Sequence, residues 1–323
     1  MAVATQVGYR VTLRCVSLWL GSLLLTVLPT RAAVYYVTVA GLGGESDYEQ
    51  RFTGLANDLN KTFRASAADA RVYTLTGGNA TRDHLRQIMA NVALEAKPED
   101  DLVLVLIGHG SSDGIEYKFN LEGPDLSGAE LAQMCNRVAA RRQLIVNTTS
   151  ASGASIPVLQ KAGRGVVAAT KDGSEKNATV FARYWVQALH DPDADLDKDD
   201  AISALEAFQY AQRKTAAFYE SEKRIATEHA VFDDTGKEAA VRQPAIRNGE
   251  GLLLSSFLLL RTGPAQQAAN DPEKRALLAK KDDLERRIDS LKYEKAAMSQ
   301  DEYKKKLTEA LVELARVQEE LDK

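Results

Sequence analysis

His109 stands between two glycines, in Ile107-Gly108-His109-Gly110-Ser111-Ser112, at the end of an apolar run, Leu102-Val103-Leu104-Val105-Leu106. Flanking glycines let the backbone turn sharply and keep an imidazole at the tip of the element before it. Ser150 follows 41 residues later, where a second apolar run, Gln143-Leu144-Ile145-Val146-Asn147, ends in Thr148-Thr149-Ser150-Ala151-Ser152-Gly153. A hydroxyl beside an imidazole is the minimum for assisted nucleophilic attack. His109 is the candidate base and Ser150 the candidate nucleophile, and the N–H groups of Gly110 and Ser150 are candidate oxyanion donors. A serine mechanism also needs its histidine oriented. Asp113, Asp172 and Glu175 are candidates for that role only because their loops are expected at the same sheet end. The alternative is a polar cleft that does no chemistry.

A second pattern points to a cation. Asp195-Leu196-Asp197-Lys198-Asp199-Asp200-Ala201-Ile202-Ser203-Ala204-Leu205-Glu206 fits a twelve-residue calcium loop. Asp195, Asp197, Asp199, Ser203 and Glu206 supply side-chain oxygens at positions 1, 3, 5, 9 and 12, and Ala201 a carbonyl at position 7. Position 6, ordinarily glycine, is Asp200, a residue type that tolerates a left-handed backbone better than most. The expected cofactor is therefore a structural Ca2+. The alternative is a solvated acidic loop that caps the next helix.

These groups need a scaffold. The runs Val34-Tyr35-Tyr36-Val37-Thr38-Val39-Ala40 and Arg71-Val72-Tyr73-Thr74-Leu75, the two runs above, and Gly165-Val166-Val167-Ala168-Ala169 read as strands. Helix-like periods separate them, as in Tyr48, Phe52, Leu55, Leu59 and Phe63. Strands alternating with helices indicate a doubly wound α/β domain with a mostly parallel sheet over 34–262, and functional groups at the carboxyl ends of its strands. Cys135 lies in mid-helix with Leu131 and Val138, where a buried thiol is expected. Glu228-His229 lies before Asp233-Asp234-Thr235-Gly236, which reads as an exposed turn.

Two histidine- and serine-tipped strands of this kind resemble the caspase–legumain–gingipain class of cysteine peptidases, and most closely its legumain-type members, the asparaginyl endopeptidases. That family carries Glu-Ala-Cys-x-Ser-Gly where this chain has Thr148-Thr149-Ser150-Ala151-Ser152-Gly153. The resemblance covers about 34–262. It implies a caspase-like fold, a peptide or protein ligand, His109 as general base with Gly110 beside it, and Ser150 in place of the catalytic cysteine. A thiol is partly ionised near neutral pH and a serine is not. The expectation is thus a peptide-binding member with little or no cysteine-type proteolysis. The alternatives are a serine hydrolase using Ser150 and His109, and a non-catalytic scaffold.

The ends of the chain differ in composition. Arg10 and Arg14 precede an uncharged run from Cys15 to Thr30, and Ala32 and Ala33 follow. This reads as a secretory signal peptide over 1–33, short for a membrane span, that directs export to a periplasmic or extracellular space; the alternative is an uncleaved membrane anchor. Its removal takes three arginines and no acids, so the net charge goes from −4 to −7. An acidic chain lacks the basic face that nucleic acid demands. After a linker at 263–270, residues 271–323 read as a coiled-coil-like helical hairpin. Leu277, Leu284, Ile288, Leu291 and Met298 mark one seam, and Tyr303, Leu307, Ala310, Leu314, Val317 and Leu321 the other. Asp271-Pro272 reads as its start and Ser299–Glu302 as a capping box. Packing on the main domain, self-association and partner docking are its expected roles.

Overall fold

The computed structural model describes residues 32–66, 70–237 and 239–323. Nearly all of the expected signal peptide lies outside these residues. Among the described residues no helix is long and apolar enough to cross a membrane.

The strands are β1 (Val34–Ala40), β2 (Arg71–Leu75), β3 (Asp101–Ile107), β4 (Gly110–Ser112), β5 (Tyr117–Phe119), β6 (Leu126–Ser127), β7 (Arg142–Asn147), β8 (Arg164–Ala168), β9 (Ala201–Ser203), β10 (Val231–Asp233) and β11 (Leu258–Arg261). The helices are α1 (Ser46–Ser66), α2 (Arg82–Glu95), α3 (Gly128–Arg137), α4 (Ile156–Leu159), α5 (Phe181–Ala188), α6 (Ala204–Ser221), α7 (Leu252–Ser256), α8 (Gly263–Asn270), α9 (Arg275–Glu294) and α10 (Gln300–Leu321). The main sheet runs β10-β8-β7-β3-β1-β2. All its pairs are parallel except β10 with β8.

The period-2 alternation of the strands divides two cores between the faces of this sheet. Tyr36, Val103, Val105, Ile107 and Val146 pack with α1, α5 and α6 on one face. Tyr35, Val37, Leu102, Leu104, Leu106 and Ile145 pack with α2, α3 and α4 on the other. Helices on both faces of a mostly parallel sheet make this the doubly wound arrangement expected from the alternation of strand and helix signals. Cys135 is fully buried against α3's core face, and burial pushes its thiol up to about 11.

Four expectations are corrected. The segment 263–270 is not a linker but the helix α8, with Pro264 in its first turn and Ala265 and Ala269 buried. Alanine-rich segments gain helix once an apolar stripe has something to cover, here the base of the hairpin. The hairpin's first helix begins at Arg275 rather than Pro272, and its seam takes in Leu278 beside Leu277, with Leu284, Leu291, Ala310, Val317 and Leu321 as expected. At Ser299 only half of a capping box forms: the Ser299 hydroxyl accepts the Glu302 N–H, while the Glu302 carboxylate turns to Lys306 at 2.8 Å. Finally, Asp233 and Asp234, expected to open an exposed turn, are buried. Val231–Asp233 is the antiparallel edge strand, and Asp234 is 7% exposed because its carboxylate accepts the N–H groups of Gly251, Leu253 and Leu254. A carboxylate saturated by backbone donors can be buried where a lone one cannot.

Candidate functional site

β3 and β7 are neighbours in register, Leu106 opposite Asn147, so their carboxyl ends lie side by side. Thr148 extends the ladder: both its N–H and its hydroxyl donate to the Leu106 carbonyl, at 2.9 and 2.7 Å. Beyond it the chain turns through Ser150 into Ala151, which adopts a left-handed backbone (φ 54°). Gly110 lies directly against this turn. A Cβ on Gly110 would fall 2.6 Å from both the Ser150 carbonyl and Thr149 Oγ1, so only glycine allows the two tips to meet. His109, Gly110 and Ser150 are thereby brought together.

The residues around Ser150 are locked. Tyr117 OH bonds Thr149 Oγ1 at 2.6 Å and Asn147 Oδ1 at 3.2 Å, and Asn147 Nδ2 donates to Ser155 Oγ at 3.0 Å. Ser152 Oγ and Thr170 Oγ1 lie 3.1 Å apart, and the Gly153 N–H donates to Thr170 Oγ1 at 3.0 Å. Among the described residues, the Ser150 N–H has no hydrogen-bond acceptor and its hydroxyl no partner. The Gly110 N–H is also spared. The Asn120 N–H donates to the His109 carbonyl, which makes Gly110–Phe119 a non-hydrogen-bonded pair whose amide points away from β5. Two amides without acceptors beside a hydroxyl are what an oxyanion site needs.

His109 packs edge-on to Tyr48 and Phe52, with ring centroids 4.8 and 5.2 Å away. This burial lowers its pKa, while backbone hydrogen bonding to Gly43 and the charge of Glu45 pull the other way. The ring is thus kept neutral near pH 7, as a base requires. A histidine whose pKa is depressed on folding adds stability above its ordinary value, lost as pH falls through the folded one. His109→Phe keeps the ring packing and should remove that part of the acid destabilisation. The melting temperatures of the two proteins are expected to converge or cross between pH 7 and 5; parallel curves would show that His109 is not held neutral.

None of the three carboxylates considered from the sequence orients His109. Asp113 accepts the N–H groups of Ile115 and Glu116 at 2.9 and 2.8 Å, and Asp172 those of Ser174. Glu175 pairs with His229 Nδ1 at 2.5 Å instead. The acid near His109 is Glu45, from the loop after β1. Sequence reading passed over it because only the strand order, β1 beside β3, puts that loop there. No hydrogen bond joins His109 to Ser150 among the described residues, and Ser150 is 2% exposed.

The acidic loop is built differently. The carboxylates of Asp195, Asp197 and Asp199 come within 4.8 Å of one another. Lys198 and Asp200 take left-handed backbones (φ 61° and 63°), the turn for which position 6 needs a permissive residue. β9 pairs with β11, and the Thr262 N–H donates to the Asp200 carbonyl, so the Ala201 carbonyl points away from that ladder. Ser203 and Glu206 form a full capping box, and the other Glu206 oxygen accepts the Leu196 N–H at 2.8 Å. These two are therefore tied to the start of α6 rather than gathered with the three aspartates. Burial, with Asp197 and Glu285 adding, holds Asp199 up to about 8, and Glu285 of α9 is pushed up to about 7. Lys281 of α9 donates to the Asp199 carbonyl at 2.8 Å, and Asp282 pairs with Arg261. The hairpin thus packs on the main domain at this loop.

No family model and no curated protein matches the chain. Among solved structures it is similar to the Drosophila initiator caspase Dronc, at 14% identity over 64% of this chain and 81% of that one, with a TM-score of 0.39. It is also similar to protein GSU0716 from Geobacter sulfurreducens, at 10% identity over 66% and 98%, with a TM-score of 0.42.

Proposed function

We propose that the chain is an exported, legumain-like member of the caspase-like peptidases in which serine replaces the catalytic cysteine, and that it binds an extended peptide segment over the carboxyl ends of β3 and β7. The observation that carries this reading is the close contact of the two tips. Gly110 rests on the Ser150 carbonyl, so the backbone turns that carry His109 and Ser150 meet, with two amides without acceptors and a serine hydroxyl without a partner at the junction. Cysteine-type proteolysis has no support, because Cys135 is buried and its thiol raised to about 11. Ile115 and Ile225 are 96% and 89% exposed in loops at this same end of the sheet and offer apolar rim contacts to a peptide. A second reading, serine-type hydrolysis, is favoured by the burial that lowers the His109 pKa and by a Ser150 hydroxyl without a partner in the adjoining turn.

One pair of experiments tests both. The full chain is photo-crosslinked to a pool of capped random peptides, and crosslinks mapping to 109–116 and 148–153 are expected; crosslinks elsewhere, or none, would sink the binding reading. A fluorophosphonate probe is applied to the natural chain, Ser150→Ala and His109→Ala. Labelling at Ser150 that both variants lose would replace binding with serine hydrolysis.

The proposal also gives the 195–206 loop a structural calcium ion. Support comes from the three clustered aspartates, the left-handed Asp200 and the Ala201 carbonyl clear of its ladder. Asp195, Asp197, Asp199 and Ala201 would hold the ion, and Ser203 and Glu206 would join on giving up part of the capping box. An ion there would neutralise the crowded charge between the loop and Glu285, and so tie the hairpin to the main domain.

A further inference from the structure

Ser150 is 2% exposed although it ends a strand at the open end of the sheet. The segment 171–177 lies against the turn that Ser150 opens. This segment leaves β8, passes the tip of β7 and reaches β4. The Glu175 carbonyl accepts the Ala151 N–H at 2.8 Å, and a Cβ on Gly173 would fall 2.7 Å from Ser112 Oγ. The segment reads Lys171-Asp172-Gly173-Ser174-Glu175-Lys176-Asn177, so no apolar side chain anchors it. Polar contacts alone hold it, and these exchange readily for water.

The anchor is Glu175. Its carboxylate accepts the N–H groups of Lys171 and His229 at 2.9 and 3.0 Å and pairs with His229 Nδ1 at 2.5 Å. The ends of the segment are fixed independently. Thr170 bonds Ser152 and Gly153, and Glu228 holds the N–H groups of Val180 and Phe181 at 2.8 and 3.2 Å. Behind His229 is a cavity of about 170 Å3, shared with Tyr219, Arg242 and Thr215. Thr215 is 5% exposed and its hydroxyl has no hydrogen-bond partner. The imidazole therefore has room to leave Glu175 and an unpaired hydroxyl to meet when it does.

We infer that 171–177 is a lid over Ser150 and that His229 is its latch, with one seat on Glu175 and a second in the cavity beside Thr215. This rests on the reading of Ser150 as the nucleophile position. With the latch on Glu175, the lid covers Ser150; with it in the cavity, the lid is released and an extended ligand reaches the turn.

The test needs no natural ligand. In the full chain carrying Ser150→Cys, the rate at which iodoacetamide alkylates the introduced thiol reports access. Adding His229→Ala should speed alkylation by about tenfold or more, the change expected when one charge-assisted hydrogen bond is lost. His229→Gln, whose amide still donates to Glu175, should restore the slow rate. Gly173→Ala, which crowds Ser112 at the opposite edge of the lid, should also accelerate it, and it decides alone if His229→Ala does not fold. Equal rates in all these proteins would overturn the lid. Failure of peptide binding would leave the alkylation contrast unchanged, so the two readings fail separately.

Discussion

Calcium at about 10 mM is expected to raise the melting temperature of the full chain by several degrees. Extracellular loops of this type bind at about 10⁻⁴–10⁻³ M, so 10 mM is about 10–100 times the dissociation constant. Mass action then stabilises the folded state by about 1.4–2.7 kcal/mol. For a domain of this size each kcal/mol moves the melting temperature by about 2–4 °C. Asp195→Asn should abolish the shift while keeping the shape of a side chain that is 7% exposed and accepts the Asp199 and Asp200 N–H groups. Asp199→Asn should act in two directions. It should stabilise the calcium-free protein, because Asp199 is crowded by burial, Asp197 and Glu285, and it should weaken the response to calcium. Calorimetry with and without calcium decides. An identical trace for the natural chain in both conditions would remove the ion from the proposal.

Gly153→Ala is expected to cost about 3 kcal/mol, at the upper end for overpacking. A Cβ there would lie 2.3 Å from the Lys171 carbonyl carbon and 2.4 Å from the Asp172 nitrogen. Both neighbours are backbone, and Lys171 is held by the Glu175 carboxylate, so no side chain can swing aside. The cost falls where the Ser150 turn meets the 171–177 segment. Gly54→Ala is the control. Nothing lies within 4 Å of a Cβ at Gly54, in the interior of α1, and alanine there should stabilise by about 0.5–1 kcal/mol. Urea unfolding of the two variants reads the contrast, and a Gly153→Ala protein as stable as the natural chain would mean that 153 and 171–172 do not pack as described.

The long strands were legible because each carries β-branched, aromatic or leucine residues within a run of five to seven and ends at a glycine or a polar tip, as in Asp101–Ile107. The short ones were not. β4, β6, β9 and β10 have two or three residues each, too few to show a period. Their pairing is set by neighbours distant in sequence, as when Val231 meets Ala168. The hairpin was legible as a heptad pattern, yet the burial of Leu278 beside Leu277 was not, because it depends on the packing of α8 against the hairpin.

Sequence alone determined the pair of strand tips, the candidate base and nucleophile, and the twelve-residue acidic loop, because residue type and local spacing carry those signals. Only tertiary structure decided which groups face them. It placed Glu45 rather than Glu175 near His109, gave Glu175 to His229, laid 171–177 against the Ser150 turn, and set Glu285 and Lys281 of the hairpin against the acidic loop. The physical reason is common to all four. A strand order or a docked helix brings together residues tens of positions apart, and a hydrogen bond or charge contact between them depends on that juxtaposition, which no local pattern encodes.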